Sequence, residues 1–295
     1  VRARLARALW LFRLVSRPLL TRLLLGAGVV AGVLALWAFW LEPASLRVAT
    51  YRLSVPHWPA ACSGLSIAVV SDLHVGSPFN DVAKLERVIA ETQAAQPDLV
   101  LLAGDFVIQG VRGGRFVTPE IISAKLGEIA APFGVFAVLG NHDWWLDGPR
   151  VKQAFETNRI PVLENRAVEL RRDDCTFWLA GIGDFWEGRP DVAGTLAKVP
   201  PEAPVLVLTH NPDIFPDVPD RVALTIAGHT HGGQVRVPLV GRPIVPSSHG
   251  ERYAIGNVVE GGRHLFVTSG VGTSILPVRF LVPPEISVLE LRPSG

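Results

Sequence analysis

Cysteine is scarce in this chain. Cys62 and Cys175 are the only two among 295 residues, too few and too widely spaced for a zinc knuckle or for the bridge-dense scaffold of a small secreted module. Their positions leave open whether they pair. Charge is also thin, at 19% against 48% hydrophobic residues and a mean hydropathy of +0.32, which excludes a disordered tail. No internal repeat is present, and 28 Gly and 24 Pro scattered along the chain exclude a coiled coil. They suit a loop-rich α/β protein large enough for one big domain or two ordinary ones. Acid is nearly missing from the first 46 residues, where Arg2, Arg4, Arg7, Arg13, Arg17 and Arg22 face Glu42 alone, a net +5. The remainder holds 22 basic and 26 acidic residues, a net −4, with no Lys/Arg-rich stretch, so no nucleic-acid partner is expected.

From Leu23 to Leu41 charge is absent altogether, over 19 residues. At about 1.5 Å of rise per residue this run nearly matches the hydrocarbon thickness of a bilayer, which predicts a transmembrane helix at 23–41. A cleaved signal peptide has a shorter apolar region and a small-x-small site, whereas this run leaves through Trp37, Trp40, Glu42 and Pro43. The expected organisation is a basic cytoplasmic segment at 1–22, the helix, a juxtamembrane linker at 42–59 and a globular domain at 60–295. All six early Arg precede the span, so the positive-inside rule keeps the amino terminus cytoplasmic and carries the domain to the outer face.

Beyond the linker, apolar runs alternate with turn-rich and amphipathic stretches, as in mixed α/β layers. Strands are predicted at Leu65–Val70, Leu99–Ala103, Val135–Leu139, Phe177–Ile182, Val205–Thr209, Val222–Ala227, His264–Thr268 and Ile286–Leu291. Helices are predicted at Asp81–Gln96, Glu120–Ala130, Pro149–Thr157 and Asp191–Lys198, the first capped by Asn80 or Asp81 and stopped by Pro97.

Five of the predicted strands end in short polar clusters: Asp72-Leu73-His74, Gly104-Asp105, Gly140-Asn141-His142-Asp143, Thr209-His210-Asn211 and Gly228-His229-Thr230-His231. In open α/β sheets ligands collect at the carboxyl ends of strands, so five such runs can meet at one crevice. His, Asp and Asn without a thiol suit Mn, Fe or Zn, and a divalent cation offsets the desolvation of buried imidazoles and carboxylates. In extended backbone, Asp72 with His74 and His229 with His231 each project to one side. His57, His249 and His264 stand outside any motif.

The ordered set D-x-H, GD, GNHD, H and GHxH resembles the calcineurin-like metallophosphoesterase superfamily. Gly232-Gly233-Gln234, the run from Gly270 to Thr273, and Leu276-Pro277-Val278-Arg279-Phe280 resemble its membrane-anchored bacterial branch. The resemblance implies an α/β fold, a four-layer α-β-β-α metallophosphoesterase sandwich behind one N-terminal transmembrane helix, set in the bacterial inner membrane. It implies two divalent metal ions, one held by Asp72, His74, Asp105 and His231 and the other by Asp105, Asn141, His210 and His229, with Asp105 bridging. His142 is the implied catalytic residue outside the ligand set, oriented by Asp143. Arg279 and Trp145 are candidate substrate contacts, and Trp144, Phe185 and Trp186 can line an apolar channel. The implied activity is hydrolysis of a phosphodiester or pyrophosphate in a phosphorylated, membrane-associated and lipid-linked small molecule. Two alternatives stand beside it. One is a UDP-2,3-diacylglucosamine diphosphatase of lipid A biosynthesis, whose cytoplasmic substrate conflicts with the outward orientation; the other is a non-catalytic metal-binding membrane module.

Overall fold

The computed structural model describes residues 17–294; Arg2, Arg4, Arg7 and Arg13 lie outside that range. Helix α1 (Arg17–Leu36) continues through a π-helical turn, Trp37–Leu41, and a last helical turn, Glu42–Ala44. From Leu19 to Ala44 it is apolar and long enough to cross a membrane, and almost none of it packs against the rest of the protein. Its end is clamped to the globular part. Buried Glu42 accepts hydrogen bonds from Trp37 Nε1 (2.5 Å) and from the backbone amides of Leu281 (2.9 Å) and Val282 (2.6 Å), while Ala38 O accepts from Arg279 N (2.9 Å).

Two sheets follow. The first starts with β1 (Arg47–Val55), β2 (Leu65–Val70), β3 (Leu99–Leu102) and β4 (Val135–Ala137). The second holds β5 (Arg166–Arg172), β6 (Cys175–Gly181), β7 (Val205–Leu208), β8 (Leu224–Ala227), β9 (Gly256–Glu260) and β10 (Arg263–Val267); the last strand, β11 (Glu285–Pro293), returns to the first. The strand orders are β1-β11-β2-β3-β4 and β5-β6-β7-β8-β10-β9. The residues read as a linker at 42–59 therefore do not lie outside the domain, because β1 forms an edge strand parallel to β11.

Helices α2 (Val82–Ala94), α3 (Pro119–Leu126) and α4 (Asn141–Thr157) cover the outer face of the first sheet, whose apolar side chains join theirs in one buried cluster. Asp81 caps α2 by accepting from Lys84 N (3.0 Å). Helix α5 (Val192–Leu196) and several short 3₁₀ turns cover the second sheet. The largest cluster lies between the sheets, where Ile67, Leu101 and Leu289 of one meet Leu179, Leu206 and Phe266 of the other. This is the four-layer α-β-β-α sandwich. β2, β3 and β4 run parallel to one another, as do β6, β7 and β8, which brings the carboxyl ends of each set to one edge of its sheet.

Cys62, in the turn before β2, is disulfide-bonded to Cys175 at the start of β6. The bond ties the two sheets together across 113 residues of chain, within the inter-sheet core.

Candidate metal centre

Each motif occupies the loop at the end of its strand: Asp72 and His74 after β2, Asp105 after β3, Asn141 to Asp143 at the start of α4, His210 after β7, and His229 and His231 after β8. The seven residues read as ligands are all buried, and among the described residues three groups of three emerge. Ligand atoms of Asp72, His74 and His231 lie within 4.8 Å of one another, as do those of Asp105, His210 and His229 and those of His74, Asp105 and His142. Asp105 Oδ2 stands between the groups, 3.5 Å from His74 Nε2 and 3.3 Å from His210 Nε2.

The paired motifs converge by a different backbone from the one expected. Asp72 (φ +52°), His74 (+40°), Asp105 (+56°), His229 (+70°) and His231 (+50°) all sit in the left-handed region, not in extended conformation. For residues with a Cβ this costs on the order of 1 kcal/mol or more apiece, and such strain persists only where the surroundings enforce it. Those surroundings are visible. Asp72 N donates to Gly104 O (2.9 Å), His74 N to Asp105 O (3.0 Å) and His229 N to Asp72 Oδ2 (3.0 Å). Gly140 has to be glycine, because a Cβ there would stand 2.2 Å from Asp105 Oδ1.

The imidazoles are poised as ligands. His74 Nδ1 faces Val107 O (3.2 Å) and His210 Nδ1 faces Ala103 O (2.7 Å). If each donates there, the Nε2 lone pairs are left pointing at the Asp105 carboxylate and at further imidazoles, with His74 Nε2 3.2 Å from His231 Nε2 and His210 Nε2 3.1 Å from His229 Nδ1. Burial lowers His74 to about 3 against the pull of Asp105; burial, with His210 close by, does the same to His229, so both rings are neutral at working pH. His210 moves the other way. Burial opposes its cation, yet Asp105, Asp72 and Asp184 hold it well above its ordinary range, while His210, His142 and His74 hold Asp105 well below its own despite burial. The cluster of buried carboxylates thus calls for positive charge at its centre. Asp72 Oδ1, Asn141 Oδ1, His229 Nε2 and His231 Nδ1 are buried without a hydrogen-bond partner among the described residues, and oxygen and imidazole donors in this number fit divalent cations.

His142 lies beside this set. Its ring meets His74 edge-on at 4.6 Å and Trp145 at 4.8 Å, its Nδ1 has no partner, and its backbone N–H donates to Asp105 Oδ1 (2.9 Å). Asp143 does not orient it. That carboxylate instead accepts from the amides of Asp105 (2.9 Å), Phe106 (3.0 Å), Val107 (3.2 Å) and Gly140 (2.9 Å), fixing the loop that carries Asp105. Arg279 is not a substrate contact either. Its guanidinium is fully buried and spends its donors on the carbonyls of Gly272, Val282, Ser269 and Gly270, locking the 269–282 loop.

Trp145 is half exposed and donates from Nε1 to Glu187 Oε1 (2.8 Å); Trp186, also half exposed, meets His229 edge-on at 4.5 Å. The two indoles stand 6.4 Å apart and flank the rings of His142 and His229. Asp184, which no motif marks, holds the Trp186 turn by accepting from the amides of Trp186 (2.9 Å) and Glu187 (3.0 Å). Trp144 packs with the apolar cluster under the first sheet, while Phe185 is exposed.

Groups of His and Asp linked through the Asp105 carboxylate, at the converging strand ends of a two-sheet sandwich, define a metal-dependent hydrolase site. The chain belongs to the calcineurin-like phosphoesterase family, whose model matches residues 65–233. It is 34% identical over 260 residues to phosphodiesterase YaeI of Escherichia coli, covering 85% of this chain and 90% of that one. The uncharacterized metallophosphoesterase YkuE of Bacillus subtilis is 30% identical over 259 residues (87% and 89%). UDP-2,3-diacylglucosamine pyrophosphatase LpxG of Chlamydia trachomatis is 27% identical over 307 residues (86% and 92%). The chain is a metal-dependent phosphoester hydrolase that uses divalent metal ions.

Proposed function

We propose that this enzyme is tethered to the membrane by α1 and cleaves a phosphodiester or pyrophosphate in a membrane-associated, lipid-linked substrate. The position of Asp105 Oδ2 between His74 and His210 carries the two-ion reading, since one carboxylate there can serve both groups of ligands. Asp72, His74, Asp105 and His231 would hold one ion, and Asp105, Asn141, His210 and His229 the other, with Mn, Fe or Zn suiting these donors. Bound divalent ions supply Lewis acidity toward a phosphoryl oxygen and lower the pKa of water. His142 faces the reacting phosphoryl group and protonates the leaving oxygen or steadies the charge that develops on it. Trp145 and Trp186 present flat apolar surfaces beside it for the substrate's organic part.

The names of two relatives, a phosphodiesterase and a pyrophosphatase acting on a diacylated sugar nucleotide, support diester or pyrophosphate cleavage over monoester cleavage. The Cys62–Cys175 disulfide supports an oxidising compartment, in agreement with the outward orientation inferred from the early Arg. The relative of C. trachomatis keeps UDP-2,3-diacylglucosamine as a second reading, which the same disulfide disfavours.

The full chain in detergent, loaded with Mn²⁺, Zn²⁺ or Mg²⁺, should be assayed against phosphomonoesters, aryl and lipid diesters, and UDP-linked lipid pyrophosphates. Fastest turnover of a lipid diester or pyrophosphate is expected. Monoesters turned over fastest would overturn the substrate class, and no turnover under any condition would overturn catalysis.

A further inference from the structure

Three loops that leave the metal centre share a composition. Residues 106–117, 234–250 and 270–284 contain no acidic residue, although acids outnumber bases in the domain as a whole. They also carry the most exposed apolar side chains of the globular part: Leu239, Val240, Ile244 and Ile275 each expose more than seven-tenths of their surface, joined by Phe116 and Leu281. Large exposed apolar side chains gathered on a few linked loops of a globular domain mark an interaction surface.

The loops are tied to one another and to the end of α1. Ser274 N donates to Gln234 Oε1 (2.6 Å), Phe280 N to Gln234 O (2.9 Å), and Arg112 N to Ile275 O (3.0 Å). Val237 and Gly241 close a tight hairpin with Leu239 and Val240 at its tip. Leu281 and Val282 hold Glu42, Arg279 N holds Ala38, and Trp40 meets Phe79 edge-on at 5.2 Å. The 270–284 loop therefore meets the end of α1 directly, the other two loops are tied to that loop, and the Glu42 clamp leaves little freedom to swing away from it. Arg112, Arg115 and Arg236 are exposed in these loops and form no ion pair among the described residues. Apolar tips interleaved with unpaired Arg are the composition that seats a surface among acyl chains and anionic headgroups.

We propose that the rim formed by these loops is a second membrane contact, resting directly on an anionic phospholipid bilayer so that the crevice lies at the bilayer surface and takes its substrate laterally. The inference rests on α1 being a membrane span, the reading given under the proposed function. Continuity with α1 and the exposed Arg single out a bilayer over a second copy, whose matching face would set Arg against Arg; Glu251, beside these loops, is engaged by the Arg242 amide.

The test uses the full chain in vesicles of phosphatidylcholine with and without phosphatidylglycerol. Leu239→Cys, Ile275→Cys, Val30→Cys and Glu202→Cys each add one thiol to a chain whose two native cysteines are bonded, and each is labelled with an environment-sensitive fluorophore. Labels at 239 and 275 should shift to the blue and be quenched by lipids brominated on the acyl chain, more strongly with phosphatidylglycerol, while the label at 202 stays open to iodide. Lipid quenching at 30 with iodide quenching at 239 and 275 would overturn the rim contact and leave the anchor standing. Iodide quenching at 30 would overturn the anchor itself. Blue shifts at 239 and 275 without quenching by brominated lipid would show burial against another protein surface and overturn the proposal.

Discussion

At Asp105 a single carboxylate touches both groups of ligands, so its replacement should cost more than the loss of any one terminal ligand. Asp105→Asn should abolish turnover and deplete both ions, because an amide removes charge from each; elemental analysis decides, and two tightly held ions with near-normal turnover would sink the bridging role. His142 is argued in the opposite sense. Its ring reaches the edge of the cluster with a free Nδ1, so His142→Ala should keep both ions and lower turnover by roughly 10²–10⁴. If the ring protonates the leaving oxygen, the loss shrinks for aryl leaving groups; a missing ion would show instead that His142 is a ligand. Glu164 adds a pH effect. Burial raises its carboxyl from 4.5 to about 7, with Leu139 N donating to Oε1 and Asp184 nearby adding repulsion. The native state holds this proton more tightly than the unfolded chain, so the stabilisation is fully present below about 4.5 and is lost as pH rises through 7. Glu164→Gln keeps the acceptor and cannot ionise. Its melting temperature should fall less than the parent's between pH 5 and 8, and parallel profiles would refute the assignment.

Elements are joined here by devices that differ in strength. The bond between Cys62 and Cys175 closes 113 residues, and loop-closure entropy makes that worth about 2–5 kcal/mol. The double variant Cys62→Ser, Cys175→Ser should lose that much unfolding free energy in denaturant titration, and the parent in reductant should move to the same value; equal unfolding free energies in oxidant would show that the bond adds nothing. Helix α4 depends on a break. Asp147 leaves the helical region and accepts from Arg150 N (3.1 Å), restarting the helix where Pro149 interrupts it. The first segment of α4 thereby aims Asn141 and His142 at the metal centre while the second packs Val151 and Phe155 beneath the sheet. The strands missed by apolar pattern, β1, β5 and β9, are all edge strands, with mixed exposure that erases the continuous apolar run of a central strand.

For the whole molecule, the side of the membrane is the property with most consequence. On the reading proposed above, the six Arg before the uncharged run at 23–41 and the disulfide after it set the domain on the outer face. A reporter fused after Gly295 should be active only there, and replacing the six Arg with neutral residues should scramble the orientation. Cytoplasmic activity of the reporter would reverse the assignment and move the diacylated sugar nucleotide to first choice.

Much of this protein is determined by sequence alone. Five polar clusters in order after apolar strands name the family and the ligand types, since metal chemistry restricts which side chains serve and buried parallel strands leave unbroken apolar runs. The long apolar helix is equally legible, because an uncharged run of 19 residues is plain in the sequence. Only the tertiary structure decided the rest. Arg279 looked like an anion contact until its donors met five carbonyl bonds, and Asp143 like a partner of its neighbour until four amides claimed it. The left-handed turns at the ligands and the pairing of Cys62 with Cys175 likewise depend on which loops meet in space. Partners far apart in the chain satisfy these groups, and no local pattern of residues records them.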